Sequence, residues 1–117
     1  MNTKFFKQLT LILSFILISA VISKAKSISD DKTVDISLPS IQCGTCVSTI
    51  KKALNKVEGI DEFNIDLKNK NVTVSFDDSL TSIDKIESAI IFAGYDANDK
   101  PADADAYNNL NSCCKKP

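Results

Sequence analysis

An α+β sandwich, with two helices laid over one face of an antiparallel sheet, is the architecture this chain predicts. Three observations carry it. Short segments alternate apolar and polar residues, two longer segments place apolar residues at intervals of three and four, and the order strand, helix, strand occurs twice. The chain of 117 residues has the length of a single domain.

The first elements come after a segment of different character. Residues 1–7 carry Lys4 and Lys7, and residues 9–22 form an apolar run interrupted only by Thr10, Ser14 and Ser19. A basic start followed by an apolar run shorter than the roughly 20 residues of a spanning helix reads as a signal peptide over residues 1–25. Ser23-Lys24-Ala25 supplies small residues for cleavage, with Ile18-Ser19-Ala20 in competition. An exported, periplasmic or extracytoplasmic protein without stable membrane insertion after cleavage is expected. Residues 26–32 read as a polar linker.

The domain is expected over residues 33–98. Val34, Ile36 and Leu38 alternate with Asp35 and Ser37, which is a strand with one buried face, and Pro39 ends it. Val47, Ile50, Leu54 and Val57 then form one helical stripe beside Ala53, with Lys51, Lys52, Asn55 and Lys56 on the wet side and Gly59 as the stop. Phe63, Ile65 and Leu67 make a second strand. Val72, Val74 and Phe76 make a third, and Lys68-Asn69-Lys70-Asn71 turns between them. Thr81 or Ser82 can cap a second helix with the stripe Ile83, Ile86, Ile90 and Ala93, stopped by Gly94, and the residues from Tyr95 leave room for a fourth strand. This order is the split βαβ arrangement, a ferredoxin-like βαββαβ sandwich with a four-stranded antiparallel sheet and two helices on one face. Residues 99–117 lose periodicity and are rich in Ala, Asp and Asn, so they are expected as a flexible, cysteine-containing tail with Tyr107 and Leu110 as weak anchors.

Composition narrows the function. There is no histidine and no arginine, and removal of residues 1–25 leaves 11 lysines against 15 acidic residues, a net charge of about −4. No basic patch with interleaved aromatics is present, so nucleic acid is not an expected partner.

Cys43-Gly44-Thr45-Cys46 is a CxxC pair where the first strand gives way to the first helix. A helix start offers unpaired N–H groups and the positive end of the macrodipole, which favours thiolates. The nearest charges are Lys51, Lys52 and Lys56, whose field would act in the same direction. Two sulfurs without a third ligand in the loop suit linear coordination of Hg(II), Cu(I) or Ag(I), all of which prefer thiolate. The same spacing fits a thiol-disulfide oxidoreductase or a local disulfide. The former is opposed by the lack of any proline between Pro39 and Pro101 that could face the cysteines. A binding module that docks a partner on the free sheet face is a further alternative. Cys113 and Cys114 lie outside the domain, either as unpartnered tail thiols or, with the tail folded back, as additional metal ligands.

Cys43 and Cys46, the run Ile50-Lys51-Lys52-Ala53-Leu54-Asn55-Lys56-Val57-Glu58-Gly59-Ile60, the strand end Val74-Ser75-Phe76-Asp77-Asp78, and Ala93-Gly94-Tyr95 resemble a heavy-metal-associated domain. With the signal segment, the chain is most similar to the periplasmic mercuric-ion-binding proteins of bacterial mercury resistance. The resemblance implies Cys43 and Cys46 as the two metal ligands and Tyr95 in the loop facing them. It further implies Hg(II) as cargo, Cu(I) or Ag(I) metallochaperone function as the alternative, and a membrane transporter with its own cysteines as partner. It implies a monomer that is not an enzyme. Where the family has Gly-Met, this chain has Ser40 and Ile41. Ile41 can fill a methionine's volume, whereas Ser40 restricts the loop.

Overall fold

The computed structural model describes residues 31–117. The expected signal peptide and most of the expected linker lie outside the described residues. The elements are β1 (Asp31–Ser37), α1 (Gly44–Leu54), β2 (Ile60–Asp66), β3 (Asn71–Asp77), α2 (Ile83–Phe92), α3 (Ala104–Asn108) and a 3-10 turn (Ser112–Cys114). Asp31 and Lys32, expected in the linker, already belong to β1.

The sheet runs β1-β3-β2, both pairings antiparallel. Val34 and Phe63 lie opposite Val74, and Ile36 and Ile65 lie opposite Val72, so the apolar residues of all three strands share one face. A bulge between Ile60 and Glu62 brings Ile60 opposite Phe76 and keeps it on that face. The reverse face carries Thr33, Asp35, Asn64, Thr73 and Ser75, and the Thr73 hydroxyl donates to Asp35 across it.

Both helices cover the apolar face. The buried residues of α1 are Cys46, Ile50 and Leu54, four apart, while Val47 is only half-buried. The buried stripe of α2 is Ile86, Glu87 and Ile90, and Ile83 in its first turn is 42% exposed. Ser82 caps α2 by accepting from the Lys85 N–H. Among the described residues no helix is long and apolar enough to cross a membrane.

Two expectations are corrected. The sheet has three strands among the described residues, not four. After Tyr95 the chain bonds to β1 from Asn98 N–H to the Ser37 carbonyl and from Ser37 N–H to the Asn98 side chain, each at 2.9 Å, and forms no ladder with it. It then turns at Asn98, whose φ is 52°, and closes a bridge from Ala97 to Lys100. Lys100 is drawn away from the sheet edge by the carboxylates of Asp84 and the buried Glu87, and Pro101 follows without an N–H for a ladder.

The last residues are also placed differently from the expected loose tail, because they fold back over the end of α2. Asp103 caps α3 by accepting from the Ala106 N–H, and its own N–H donates to the Ile91 carbonyl at 3.1 Å. Asp96 accepts from the Ala102 N–H at 2.8 Å and pairs with Lys116 at 2.9 Å, and the Tyr107 hydroxyl accepts from the Lys116 N–H. Leu110 packs against the core, and Cys114 belongs to it.

Candidate metal centre

Leu38, Ser40 and Ile41 are buried beneath the loop that carries the CxxC pair. Ile41 occupies a core position, as its size allows, and the Ser40 hydroxyl accepts from the Asp96 N–H at 2.9 Å. That bond, which glycine could not make, ties the cysteine loop to the turn after Tyr95. Cys43 is the N-cap residue of α1 with extended backbone, and Cys46 lies one turn in, on the buried side. Cys43 is half-buried at the surface and Cys46 is enclosed. The Cys46 position was legible as a helix start but not as core, because a cysteine reads as a site before it reads as an apolar residue.

All four cysteines are free thiols gathered at this end of the molecule. Cys43 Sγ lies 3.6 Å from Cys46 Sγ and 3.6 Å from Cys113 Sγ, and Cys113 Sγ lies 3.9 Å from Cys114 Sγ. Cys43, Cys113 and Cys114 form a group whose sulfurs all lie within 4.8 Å of one another.

The thiols differ in acidity for local reasons. The Cys46 backbone N–H is the largest influence on Cys43. With the Cys113 and Cys46 thiols and the Thr45 N–H, it outweighs the cost of partial desolvation and holds the Cys43 thiol down to about 6. The amides of the helix start therefore act as the sequence suggested, while the lysines of α1 are not among the causes. Burial pushes the Cys114 thiol the other way, up to about 12, with the Cys46 thiol adding to it. Tyr95 is fully buried, and its hydroxyl has no hydrogen-bond partner of ordinary geometry. Burial first, then the neighbouring Cys114 thiol, raises its ionisation well above the usual phenol range, and Thr49 and Cys46 are its other neighbours. Tyr95 thus lies in the loop after α2, as the resemblance implies, with its side chain in the core against the buried thiols.

The family model of the heavy-metal-associated domain matches residues 35–96, more than half of the chain. The chain belongs to the heavy-metal-associated domain family. The mercuric transport protein periplasmic component of Serratia marcescens is 39% identical over 69 residues, which are 59% of this chain and 76% of that relative. Among solved structures, oxidized MerP from Ralstonia metallidurans CH34 superposes with a TM-score of 0.56 at 37% identity, covering 58% of this chain and 94% of that one. A CopZ metallochaperone superposes at 0.54 and 30% identity, covering 56% and 98%. The heavy-metal-associated match ends at residue 96, so α3 and the Ser112–Cys114 turn lie beyond the family's pattern.

Proposed function

We propose that this heavy-metal-associated domain is an exported binding protein that captures a thiophilic ion, Hg(II) foremost, between Cys43 and Cys46 and passes it to a membrane transporter with cysteine ligands. The observation that carries the reading is the Cys43–Cys46 pair itself, two free sulfurs 3.6 Å apart at the N-terminus of α1. The likeness to mercuric transport proteins supports the choice of Hg(II) and of a periplasmic location. Cu(I) and Ag(I) are the competing cargoes, and the likeness to a metallochaperone keeps them in the comparison.

The chemistry follows from the site. Cys43, with its thiol held down to about 6, is ready as thiolate at neutral pH, and it meets the ion first because it is the more exposed of the pair. Cys46 then gives up its proton as its sulfur bonds the metal. On the zinc–sulfur length of about 2.3 Å as a scale, a linear ion needs sulfurs about 4.6 Å apart, whereas a disulfide needs about 2.05 Å. The 3.6 Å separation lies between the two, so a movement of about 1 Å by Cys43 opens the pair for an ion. Release proceeds by addition of an incoming thiol before an old one leaves, as in thiol–disulfide exchange. No bond of the cargo is made or broken other than to sulfur, so the protein is a carrier and not an enzyme, acting as a monomer.

The test is a competition titration of the reduced chain with Hg(II), Cu(I) and Ag(I) against a small dithiol. C43S/C46S is expected to lose affinity by more than the roughly 100-fold that removal of a metal site's outer-shell partner costs. Equal affinity in the wild type and this variant would refute the reading.

A further inference from the structure

We propose that the C-terminal pair Cys113 and Cys114 completes a three-thiolate site with Cys43, so that a thiophilic ion caught at the helix start is held by three sulfurs. The inference rests on the capture reading above and deepens it. It assigns a ligand set that the family's two-cysteine motif does not contain, from residues beyond the family match.

Three features carry it. The first is spacing. On the same scale of about 2.3 Å, three sulfurs around one ion stand about 4.0 Å apart. Cys43–Cys113 at 3.6 Å and Cys113–Cys114 at 3.9 Å are near that value, and the third separation is within 4.8 Å. By sequence alone, adjacent cysteines would serve one ion poorly because of backbone strain. The 3-10 turn Ser112–Cys114 instead directs both sulfurs to one side, and chelation asks for a much wider separation than a disulfide.

The second feature is that the tail is held in place by contacts that involve no sulfur. The cap at Asp103, the Asp96 bond to Ala102, the Lys116–Asp96 pair and the Lys116–Tyr107 bond fix the segment on either side of the turn. The three thiols therefore meet before any ion arrives, and binding does not have to order a loose chain. The third feature is Tyr95. Its buried hydroxyl has no hydrogen-bond partner of ordinary geometry, and Cys114, Thr49 and Cys46 are its neighbours. A Cys114 sulfur that has lost its proton to a bound ion would be the acceptor for this donor.

For a divalent ion the balance is one ion and three thiols giving an anionic three-sulfur complex and three protons to water. Cys43 belongs to both ligand sets, so an ion can move from Cys46 to the tail pair without leaving the protein. In that move the bond to Cys46 breaks, two bonds to Cys113 and Cys114 form, the two incoming thiols release protons, and Cys46 regains one.

X-ray absorption on the reduced full chain loaded with one equivalent of mercuric chloride, at a dilution where sedimentation finds monomer, counts the sulfurs. Three sulfurs in the wild type, three in C46A and two in C113S/C114S are expected. Two sulfurs in the wild type would overturn the three-thiolate site while leaving capture by Cys43 and Cys46 intact. A fall to two in C46A would equally overturn it. Failure of the wild type to bind would remove both readings. A second readout needs no variant. Cys113 is exposed in the metal-free chain, and its labelling by N-ethylmaleimide should slow at least tenfold on loading. An unchanged rate would also overturn the assignment.

Discussion

The four thiols share one small region, yet their surroundings make them chemically unequal. Cys43 stands where amides of the α1 start face its sulfur, and Cys114 is enclosed by Cys46 and Tyr95. In the reduced, metal-free protein, iodoacetamide should label Cys43 with a midpoint near pH 6, whereas Cys114 should resist labelling until the chain unfolds. Peptide mapping by mass spectrometry separates the two, and a Cys43 midpoint near its ordinary value of 9.0 would contradict the role of the amides. The sign for stability follows. A thiol held down by folding contributes stability that is present above pH 9 and is lost as the pH falls through about 6. The urea midpoint of the wild type relative to C43S should therefore decline between those limits on acidification.

At the scale of elements, the end of α2 decides where the tail lies. Gly94 has φ +100°, and a Cβ there would stand 3.0 Å from the Ala106 carbonyl oxygen and 3.0 Å from Leu110 Cγ. The bare backbone thus serves both the left-handed helix exit and the close approach of α3. Gly94→Ala should destabilise the fold by about 1–2 kcal/mol through the left-handed backbone alone. It should also detach α3, so that proteolysis near Ala104 accelerates before the rest of the domain is cut. The buried Glu87, further back in α2, has a matching role, since its carboxylate accepts from Asn98 and pairs with Lys100 at 2.5 Å. These bonds hold the turn that stands in place of a fourth strand.

Over the described residues one layer of helices covers one face of a three-stranded sheet, so each core side chain matters. Ile50 is fully buried in α1, one turn after Cys46. Ile50→Ala should cost about 2–5 kcal/mol, a large share of the roughly 5–15 kcal/mol typical of a domain. The urea midpoint measures it. Because Cys46 is in the same packed row, the variant should also loosen the CxxC pair, visible as faster alkylation of Cys46.

Three of the four expected strands, both helices and the placing of the CxxC pair at a helix start were legible because each is encoded by local spacing. Alternation placed Val34, Ile36, Val72, Val74 and Phe76 on one face, and the structure pairs Val34 with Val74 and Ile36 with Val72, with Phe76 opposite Ile60. The apolar stripe expected for α2 runs one turn too far, since Ile83 is exposed and the buried Glu87 interrupts the pattern. A charged residue gives no sign of burial until its partners, here Asn98 and Lys100, are seen beside it. The placement of the tail was legible only as one of two readings, for a related reason. Its few apolar residues cannot form a core by themselves, but Leu110 and Cys114 need only cover a surface already built by α1 and α2.

The sequence by itself determined the domain, its layer order and the thiol pair at the helix start, because helix and strand periods and a local CxxC spacing are properties of neighbouring residues. Only the tertiary structure decided that Cys113 and Cys114 meet Cys43, that Tyr95 faces buried sulfurs, and that the chain turns at Asn98 instead of adding a strand. These depend on contacts between residues far apart in the chain, set by caps, ion pairs and a glycine exit whose effect appears only when the elements pack.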